Sequence, residues 1–348
     1  MNPFRIGYVG FVPHPAFLET CAEDPRLEIV RVPLEMPLEE QIALLATCDG
    51  YYVMAARDEL PLPLHVHREL LAKLPRLLMA ASYGAGYDPL DPEACTEAGV
   101  ILVNQSGGNA RGVAEHAVGM MLACLKRMPD AHAAMKAGQA RDRAALMGRE
   151  LSGRTVGLVG CGHVGTLVSR MLRDAFGCKI LATDPALNEA ALAERGARKV
   201  DLPTLLAESD VVSLHCPLTR ETRGMIGAAQ FAAMKPGAVF VTTARGSIHD
   251  EAALLAALES GHIASAGLDV WEVEPPPVDH PLLHHPAVIA SQHTAGVTHE
   301  SRANITRIAA LAFSDLAAGR LPPRIVNPEV LPRFRKRLAE EMGLTPGV

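Results

Sequence analysis

The sequence predicts an α/β architecture carried by two parallel sheets. Short β-like runs alternate with helix-length amphipathic segments from end to end, and 348 residues at roughly 150 per domain make about two domains. A glycine-rich turn between a strand and a helix, midway along the chain, marks the start of the second sheet. Strands of the first series are expected at Arg5–Val9, Leu27–Val32, Tyr51–Met54, Leu77–Ala81 and Ile101–Val103. Helices over Leu38–Thr47 and Leu64–Lys73 carry Ala/Leu faces at three- and four-residue spacing. A long helical stretch, Ala110–Lys136, leads into the second series. Its strands are Thr155–Val159, Lys179–Thr183, Val211–His215, Ala238–Thr242, Ala266–Val270 and Val288–Ala290. Helices are expected beside them at Gly165–Asp174, Leu187–Arg195, Pro203–Glu208, Ala228–Ala233 and Glu251–Glu259, then at Glu300–Ala317. Six strands from 155 to 290 complete a doubly wound sheet. The two long helices read as crossings between domains, the second returning to the first domain. This divides the chain into 1–104 plus 295–330, 105–294, and a tail, 331–348, whose basic run from Arg333 to Arg337 reads as a solvated face.

Composition removes several function classes. With 49% hydrophobic and 21% charged residues a sizeable core can form, and disorder is not expected. A net charge of −6, with 33 Lys and Arg spread along the chain, argues against a nucleic-acid surface. No apolar run reaches the ~18 residues of a membrane span, and the opening Asn2-Pro3-Phe4-Arg5 leads into a strand rather than a signal peptide. Seven scattered cysteines without a Cys-x-x-Cys pair fit reduced thiols in a cytoplasmic protein.

Gly160-Cys161-Gly162-His163-Val164-Gly165 matches G-x-G-x-x-G. In a chain with 29 glycines the match alone is weak, but the strand Thr155–Val159 precedes it and an amphipathic helix follows. Such a turn lets a pyrophosphate meet the free N–H groups of a helix N-terminus. Asp184, nineteen residues after Gly165, ends the next strand, where an acid accepts from both ribose hydroxyls. It would repel a 2′-phosphate, and Pro185 and Ala186 supply no arginine to receive one. NAD is therefore expected over NADP. Cys161 is expected to point away from the turn, without a redox role.

Three further residues follow strands of the second series: Arg245, Glu274 and His293. Ligands of an open α/β sheet bind beyond the carboxyl ends of its strands. Singly, each reads as an ordinary loop residue. Together, beyond a nucleotide turn, they supply what hydride transfer to a carbonyl needs: a proton donor at oxygen and a cation for a carboxylate.

Several runs resemble the D-isomer-specific 2-hydroxyacid dehydrogenase family. They are Ser213-Leu214-His215-Cys216-Pro217-Leu218-Thr219, Met234-Lys235-Pro236-Gly237, Thr243-Ala244-Arg245-Gly246, Leu268-Asp269-Val270, Val113-Ala114-Glu115-His116-Ala117-Val118-Gly119 and Gly84-Ala85-Gly86-Tyr87-Asp88. The resemblance covers roughly 50–327 and implies a flavodoxin-like substrate domain beside a Rossmann NAD-binding domain. It implies that Arg245 clamps the substrate carboxylate and that His293 is the acid–base. Glu274 would orient His293 and favour its protonated form above an ordinary value of ~6.5. Asp269 would hold the nicotinamide carboxamide. Gly160, Gly162, His163, Val164, Gly165, Asp184, His215, Cys216, Thr243, Ala244, His293 and Ala295 would complete the cofactor site, and Tyr83, Gly84 and Ala85 the substrate site. A homodimer is also implied, with Val118, Met120, Met121 and Leu122 buried between subunits, as is hinge closure.

The chain departs from the family's phosphoglycerate dehydrogenases where these place arginines for the substrate phosphate. Those positions align with Met54 and Ser82, with Arg57 nearby as a possible substitute. Met54, Ala55, Tyr83 and Trp271 read instead as walls of an apolar pocket for a small unphosphorylated 2-oxo acid such as glyoxylate or hydroxypyruvate. The alternatives are a D-3-phosphoglycerate dehydrogenase, or a non-enzymatic NAD(H)-sensing regulatory protein of the same fold. His280, His284 and His285 cluster between prolines that break a helix, and no metal is expected there.

Overall fold

The computed structural model describes residues 2–54, 60–139 and 143–342, and the chain divides into residues 1–109 with 298–348, and residues 110–297. The first unit opens with β1 (Phe4–Val9), α1 (Ala16–Ala22), β2 (Leu27–Val32), α2 (Leu38–Leu45) and β3 (Gly50–Val53). It continues with α3 (Arg68–Leu71), β4 (Met79–Ser82), α4 (Pro92–Ala98) and β5 (Ile101–Val103). The second unit begins with α5 (Ala110–Leu125), α6 (Met128–Lys136), β6 (Thr155–Val159), α7 (His163–Phe176), β7 (Lys179–Thr183) and α8 (Glu189–Glu194). Then come β8 (Arg198–Lys199), α9 (Leu202–Glu208), β9 (Val211–Leu214), α10 (Ala228–Ala233) and β10 (Ala238–Thr242). The second unit ends with α11 (Glu251–Glu259), β11 (Ile263–Leu268), α12 (Pro281–His284) and β12 (Val288–Ala290). The chain then returns to the first unit through α13 (His299–Ala317) and α14 (Leu331–Met342).

In the first unit the sheet order is β2-β1-β3-β4-β5, all parallel, which is the flavodoxin-like order. Its helices are set by local chemistry. Asp91 caps α4 by accepting from the N–H groups of Glu93 and Ala94, and Thr298 caps α13 through Ser301. The helix expected over Leu64–Lys73 shrinks to the single turn of α3. Val66 is held extended by a bridge to Leu90, as its β-branched side chain favours. The sheet face is filled by aromatic rings. Phe17 stacks on Tyr52 with centroids 4.3 Å apart, and Phe313 of α13 meets both edge-on.

The tail expected at 331–348 is instead largely a helix docked on the first unit. In α14, Phe334 and Leu338 are fully buried in its core. Arg337 donates to the carbonyls of Leu77 at 3.0 Å and Ala98 at 2.8 Å. The basic run is thus the polar side of an amphipathic helix, with the apolar residues spaced four apart.

The second unit has a seven-stranded parallel sheet, ordered β12-β11-β10-β9-β6-β7-β8. The extra strand is the edge pair Arg198–Lys199, too short and charged to show an apolar pattern. The chain order reverses direction between β6 and β9, the switch point where doubly wound folds bind ligands. The long helix expected over Ala110–Lys136 is broken into α5 and α6 at Arg127. There φ is 51°, and Pro129 follows in the first turn of α6. Met120 and Met121 on α5 are buried against their own sheet, where Met120 covers Gly267 on β11. Val118 joins the same core, with Leu122 at its margin. The face expected to be buried between subunits is therefore covered within the unit.

Docking of α14 generates a prediction. Phe334→Ala is expected to destabilise the first unit by about 3–5 kcal/mol, read as a lowered urea midpoint by far-UV circular dichroism. An unchanged midpoint would contradict the packing described.

Candidate active site

The turn after β6 has the shape a dinucleotide requires. Gly160 has φ 91°, and a Cβ there would lie 2.7 Å from the backbone N of Cys216, across the switch point. A Cβ on Gly165 would lie 2.4 Å from the carbonyl oxygen of Gly160, so helix and turn touch backbone to backbone. A Cβ on Gly162 would meet nothing within 4 Å, leaving open space before α7, whose N-terminus has no side-chain cap. His163 and Val164 begin that helix. Cys161 is buried in the core. Asp184 braces the turn by accepting from the N–H of Cys161 at 2.9 Å and from Ala186 at 3.0 Å. Its remaining lone pairs can accept from a ribose diol.

Two buried polar atoms beside this crevice have no partner among the described residues: Nδ1 of His215 and Oγ1 of Thr243. Burial pushes His215 down to about 4, so the ring is neutral near pH 7 and can bond a neutral group. Its Nε2 lies 3.0 Å from the Ser213 hydroxyl. Burial raises the neighbouring Cys216 thiol to about 11 and keeps it protonated. An open glycine cradle, an acid at the second strand and unpaired polar atoms together fit NAD.

Beyond β10, β11 and β12 the loops converge on Asp269, whose side chain is 1% exposed. Its carbonyl accepts from the N–H of His293 at 2.7 Å. One carboxylate oxygen takes the N–H of Thr294 at 2.8 Å and the Ser291 hydroxyl at 2.5 Å. The other takes the N–H of Ala295 at 3.0 Å. These bonds hold His293 at φ 49°, a left-handed conformation that a non-glycine residue seldom adopts.

His293 Nδ1 lies 2.7 Å from one Glu274 oxygen, and the other oxygen accepts from the N–H of Trp271 at 3.0 Å. With Nδ1 engaged, Nε2 is left for chemistry, and the side chain is 39% exposed. Burial works to raise the Glu274 carboxyl, but the hydrogen bond and charge of His293, the Trp271 N–H and the Arg245 charge together hold it below its ordinary 4.5. Arg245 thus shares an electrostatic neighbourhood with the His–Glu pair. Its loop is fixed by Gly246, where a Cβ would fall 1.9 Å from the carbonyl carbon of Trp271. Only glycine lets the arginine loop lie on the loop carrying Glu274.

Comparisons with known proteins agree with this geometry. Residues 118–295 match the family described as D-isomer specific 2-hydroxyacid dehydrogenase, NAD binding domain. A D-3-phosphoglycerate dehydrogenase of Archaeoglobus fulgidus is 40% identical over 80% of this chain, which spans only 54% of that longer protein. A glyoxylate reductase of Korarchaeum cryptofilum is 38% identical over 76% of this chain and 81% of its own. The crystal structure of a glyoxylate reductase from Paecilomyes thermophila superposes with a TM-score of 0.80 at 30% identity, covering 91% of this chain and 96% of that one. The chain belongs to the D-isomer-specific 2-hydroxyacid dehydrogenase family. NAD is its cofactor, and the second unit is the family's NAD-binding domain.

The first unit carries the other residues that the family resemblance singled out. The loop after β4 is shaped by Ser82, which is buried. Its hydroxyl donates to the carbonyl of Gly86 and accepts from the N–H of Gly84. Asn104 holds the carbonyl of Ala85 at 2.9 Å, and the Tyr83 hydroxyl donates to the carbonyl of Phe11. Met54 and Tyr83 are 2% and 3% exposed in the core of this unit, and Trp271 is 4% exposed in the other. Little of these three is left to form the pocket walls expected of them, because each is taken up by its own core. Ala55 and Arg57 lie outside the described residues. His280 is 3.1 Å from Glu251 on α11, and His284 bonds the carbonyl of Val278, so the histidine cluster ties its loop to α11 and to itself. The short helix α12 forms there despite the flanking prolines, with Pro281 in its first turn. Among the described residues no group of three His, Cys, Asp or Glu side chains is placed to hold a metal.

Sequence reasoning missed how Gly246, Ser291 and His116 support the site. Gly246 and His116 stood within the family-like runs, but nothing local to Ser291 marks it. Gly246→Ala is expected to cost about 3 kcal/mol or more and to abolish turnover, since the added carbon meets backbone rather than a movable side chain. Trp271, the sole tryptophan, sits at that contact, so its fluorescence should report the disruption directly.

Proposed function

We propose that the chain is an NAD-dependent oxidoreductase that transfers hydride between NAD(H) and a small, unphosphorylated 2-hydroxy or 2-oxo acid of the D series, such as glyoxylate or hydroxypyruvate. It works mainly as a 2-oxo acid reductase. The observation that carries this reading is the His293–Glu274 pair beside Arg245, beyond the carboxyl edge of an NAD-binding sheet. The alternative of a sensor keeps the same residues but does not need them, and a half-buried histidine held in a strained backbone conformation beside Glu274 favours the enzyme.

NADH, when bound, supplies the hydride. Gly160, Gly162, Gly165, His163 and Val164 hold the pyrophosphate end, and Asp184 the adenosine ribose. His215, Cys216, Thr243, Ala244 and Ala295 line the remainder, and Asp269 accepts from the nicotinamide carboxamide. Arg245 binds the substrate carboxylate with its planar fork of donors. His293 keeps Nδ1–H on Glu274 and delivers a proton from Nε2 to the carbonyl oxygen as it becomes an alkoxide. In oxidation Nε2 receives that proton back. Backbone groups of Tyr83, Gly84 and Ala85 serve the substrate.

The preference for an unphosphorylated acid rests on Met54 and Ser82. The first is buried in the core, and the second spends its hydroxyl on the backbone of its own loop. Neither can neutralise a phosphate. A homodimer completes the reading, supported by the apolar surface of Met128 and Met135 on α6 and of Met147, which are 57%, 68% and 75% exposed. Seven free thiols, six of them buried, support a cytoplasmic setting.

The test is NADH oxidation against glyoxylate, hydroxypyruvate, pyruvate, larger 2-oxo acids and 3-phosphohydroxypyruvate, with NADPH as the control. Turnover is expected on one of the unphosphorylated acids, falling roughly 10²- to 10⁴-fold in His293→Ala. Preference for the phosphorylated acid would overturn the substrate assignment, and near-normal turnover in the variant would overturn the acid–base. A second prediction concerns pH. Because Glu274 is held below 4.5, its charge persists through the neutral and mildly acid range. Glu274→Gln removes it and is expected to pull in the alkaline limb of the reduction profile, so that activity fails at lower pH than in the unaltered protein.

A further inference from the structure

Asp269 has one support that the catalytic reading does not use. The Ser291 hydroxyl, 2.5 Å from the carboxylate, lies 3.0 Å from Nε2 of His116 on α5. A hydroxyl has a single proton. Facing a carboxylate that already accepts two backbone N–H groups, Ser291 gives that proton to Asp269. It must then accept from His116, which therefore presents Nε2–H. The order is His116 to Ser291 to Asp269, so the serine is a bridge rather than a nucleophile.

The bridge fixes one torsion directly and braces a second, that of a carboxylate whose two oxygens each take a backbone N–H. The hydroxyl of Ser291 would otherwise be free to take another staggered rotamer, and the terminal torsion of an aspartate is intrinsically broad. His116, whose side chain is 29% exposed, lies 3.8 Å from the nearer Asp269 oxygen and reaches it through the serine. Ser291 is itself anchored at both backbone ends: its N–H donates to the carbonyl of Leu268, and its carbonyl accepts the Trp271 indole N–H at 3.1 Å. Only the side chain remains to be set, and His116 sets it.

We propose that His116 and Ser291 are positioning residues that hold the plane of the Asp269 carboxylate and, through it, the nicotinamide face presented for hydride transfer. This rests on the reading that Asp269 accepts from the carboxamide N–H. The device does not touch the 2-oxo acid, and His293 keeps its N–H bond to the Asp269 main-chain carbonyl without it, so its loss should show first in cofactor selectivity.

The experiment compares NADH with its 3-acetylpyridine analogue, which carries a methyl ketone in place of the carboxamide, with the best 2-oxo acid of the panel held saturating. The unaltered protein is expected to favour NADH. In His116→Leu and in Ser291→Ala, the KM for NADH should rise and the preference over the analogue should shrink, each roughly tenfold, as for losing a bond to a charged group. The KM for the 2-oxo acid should stay put. His116→Gln places an amide N–H where Nε2–H stood and should restore the preference to within about threefold. Transfer from NADH deuterated on one face of C4 should become less face-selective in His116→Leu and recover in His116→Gln.

An undiminished preference in folded His116→Leu and Ser291→Ala overturns the proposal. So does a glutamine variant as impaired as the leucine one, which would mark His116 as packing alone. If the unaltered protein itself shows no preference for NADH, the carboxamide reading of Asp269 fails, and the positioning role falls with it.

Discussion

The site depends on one buried carboxylate that gathers backbone N–H groups. Asp269 sits at the end of β11, and its own carbonyl and side chain take the N–H groups of three successive residues, 293 to 295, on the neighbouring loop. A left-handed histidine costs of order 1–3 kcal/mol, and charge-assisted bonds inside a protein are strong enough to offset that cost. The strain has a geometric consequence. It turns the His293 ring toward Glu274 and leaves Nε2 accessible. Were Asp269 shortened or neutralised, His293 would keep its bond to the main-chain carbonyl of residue 269, but Thr294 and Ala295 would lose the carboxylate that holds the loop in this conformation.

The remaining parts are arranged around that anchor by close backbone contact rather than by a large apolar pocket. Gly246 lets the Arg245 loop rest on Trp271, and Trp271 in turn donates its backbone N–H to Glu274 and its indole N–H to Ser291. Three loops are thereby registered against each other to within a hydrogen bond. Glu274 is partly buried yet remains an anion, because a histidine and an arginine both favour its charge. Electrostatic preorganisation of this kind is what acid–base chemistry at a carbonyl requires.

Most of the sheet framework could be read from the sequence, since five parallel strands in one series and six in the other, most of them buried, appear as short apolar runs bounded by turns. What stayed hidden had specific causes. The edge strand Arg198–Lys199 carries no apolar signal. The break at Arg127 depends on one backbone torsion, and a helix former on either side conceals it. The docking of α14 was masked by its charge, because among the described side chains only Phe334 and Leu338 are buried apolar ones. At the site, the nucleotide turn and the Arg, Glu and His residues were legible from type and spacing. The Asp269 nest was not, because it is made of backbone N–H groups that any residue type supplies. Its link to His116 joins residues of α5 and of the loop after β12, which nothing but the fold brings together.

The same distinction explains why overall likeness decides the family more readily than the substrate. A phosphoglycerate dehydrogenase and a glyoxylate reductase match this chain at 40% and 38% identity, a difference too small to choose between them. The residues proposed for hydride transfer all lie in the NAD-binding unit, and in that reading they act on the 2-oxo group rather than on what lies beyond it. In the family's phosphoglycerate dehydrogenases the substrate phosphate is expected to meet arginines, and such a charge is a property of one or two side chains. Ser82 shows how such a position can be committed elsewhere: its hydroxyl closes a turn with Gly84 and Gly86, so replacing it by arginine would remove a loop constraint as well as add a charge. Phosphate binding at that loop therefore requires a different local backbone solution as well as a different residue. That coupling of loop shape to charge supports the proposal of an unphosphorylated substrate.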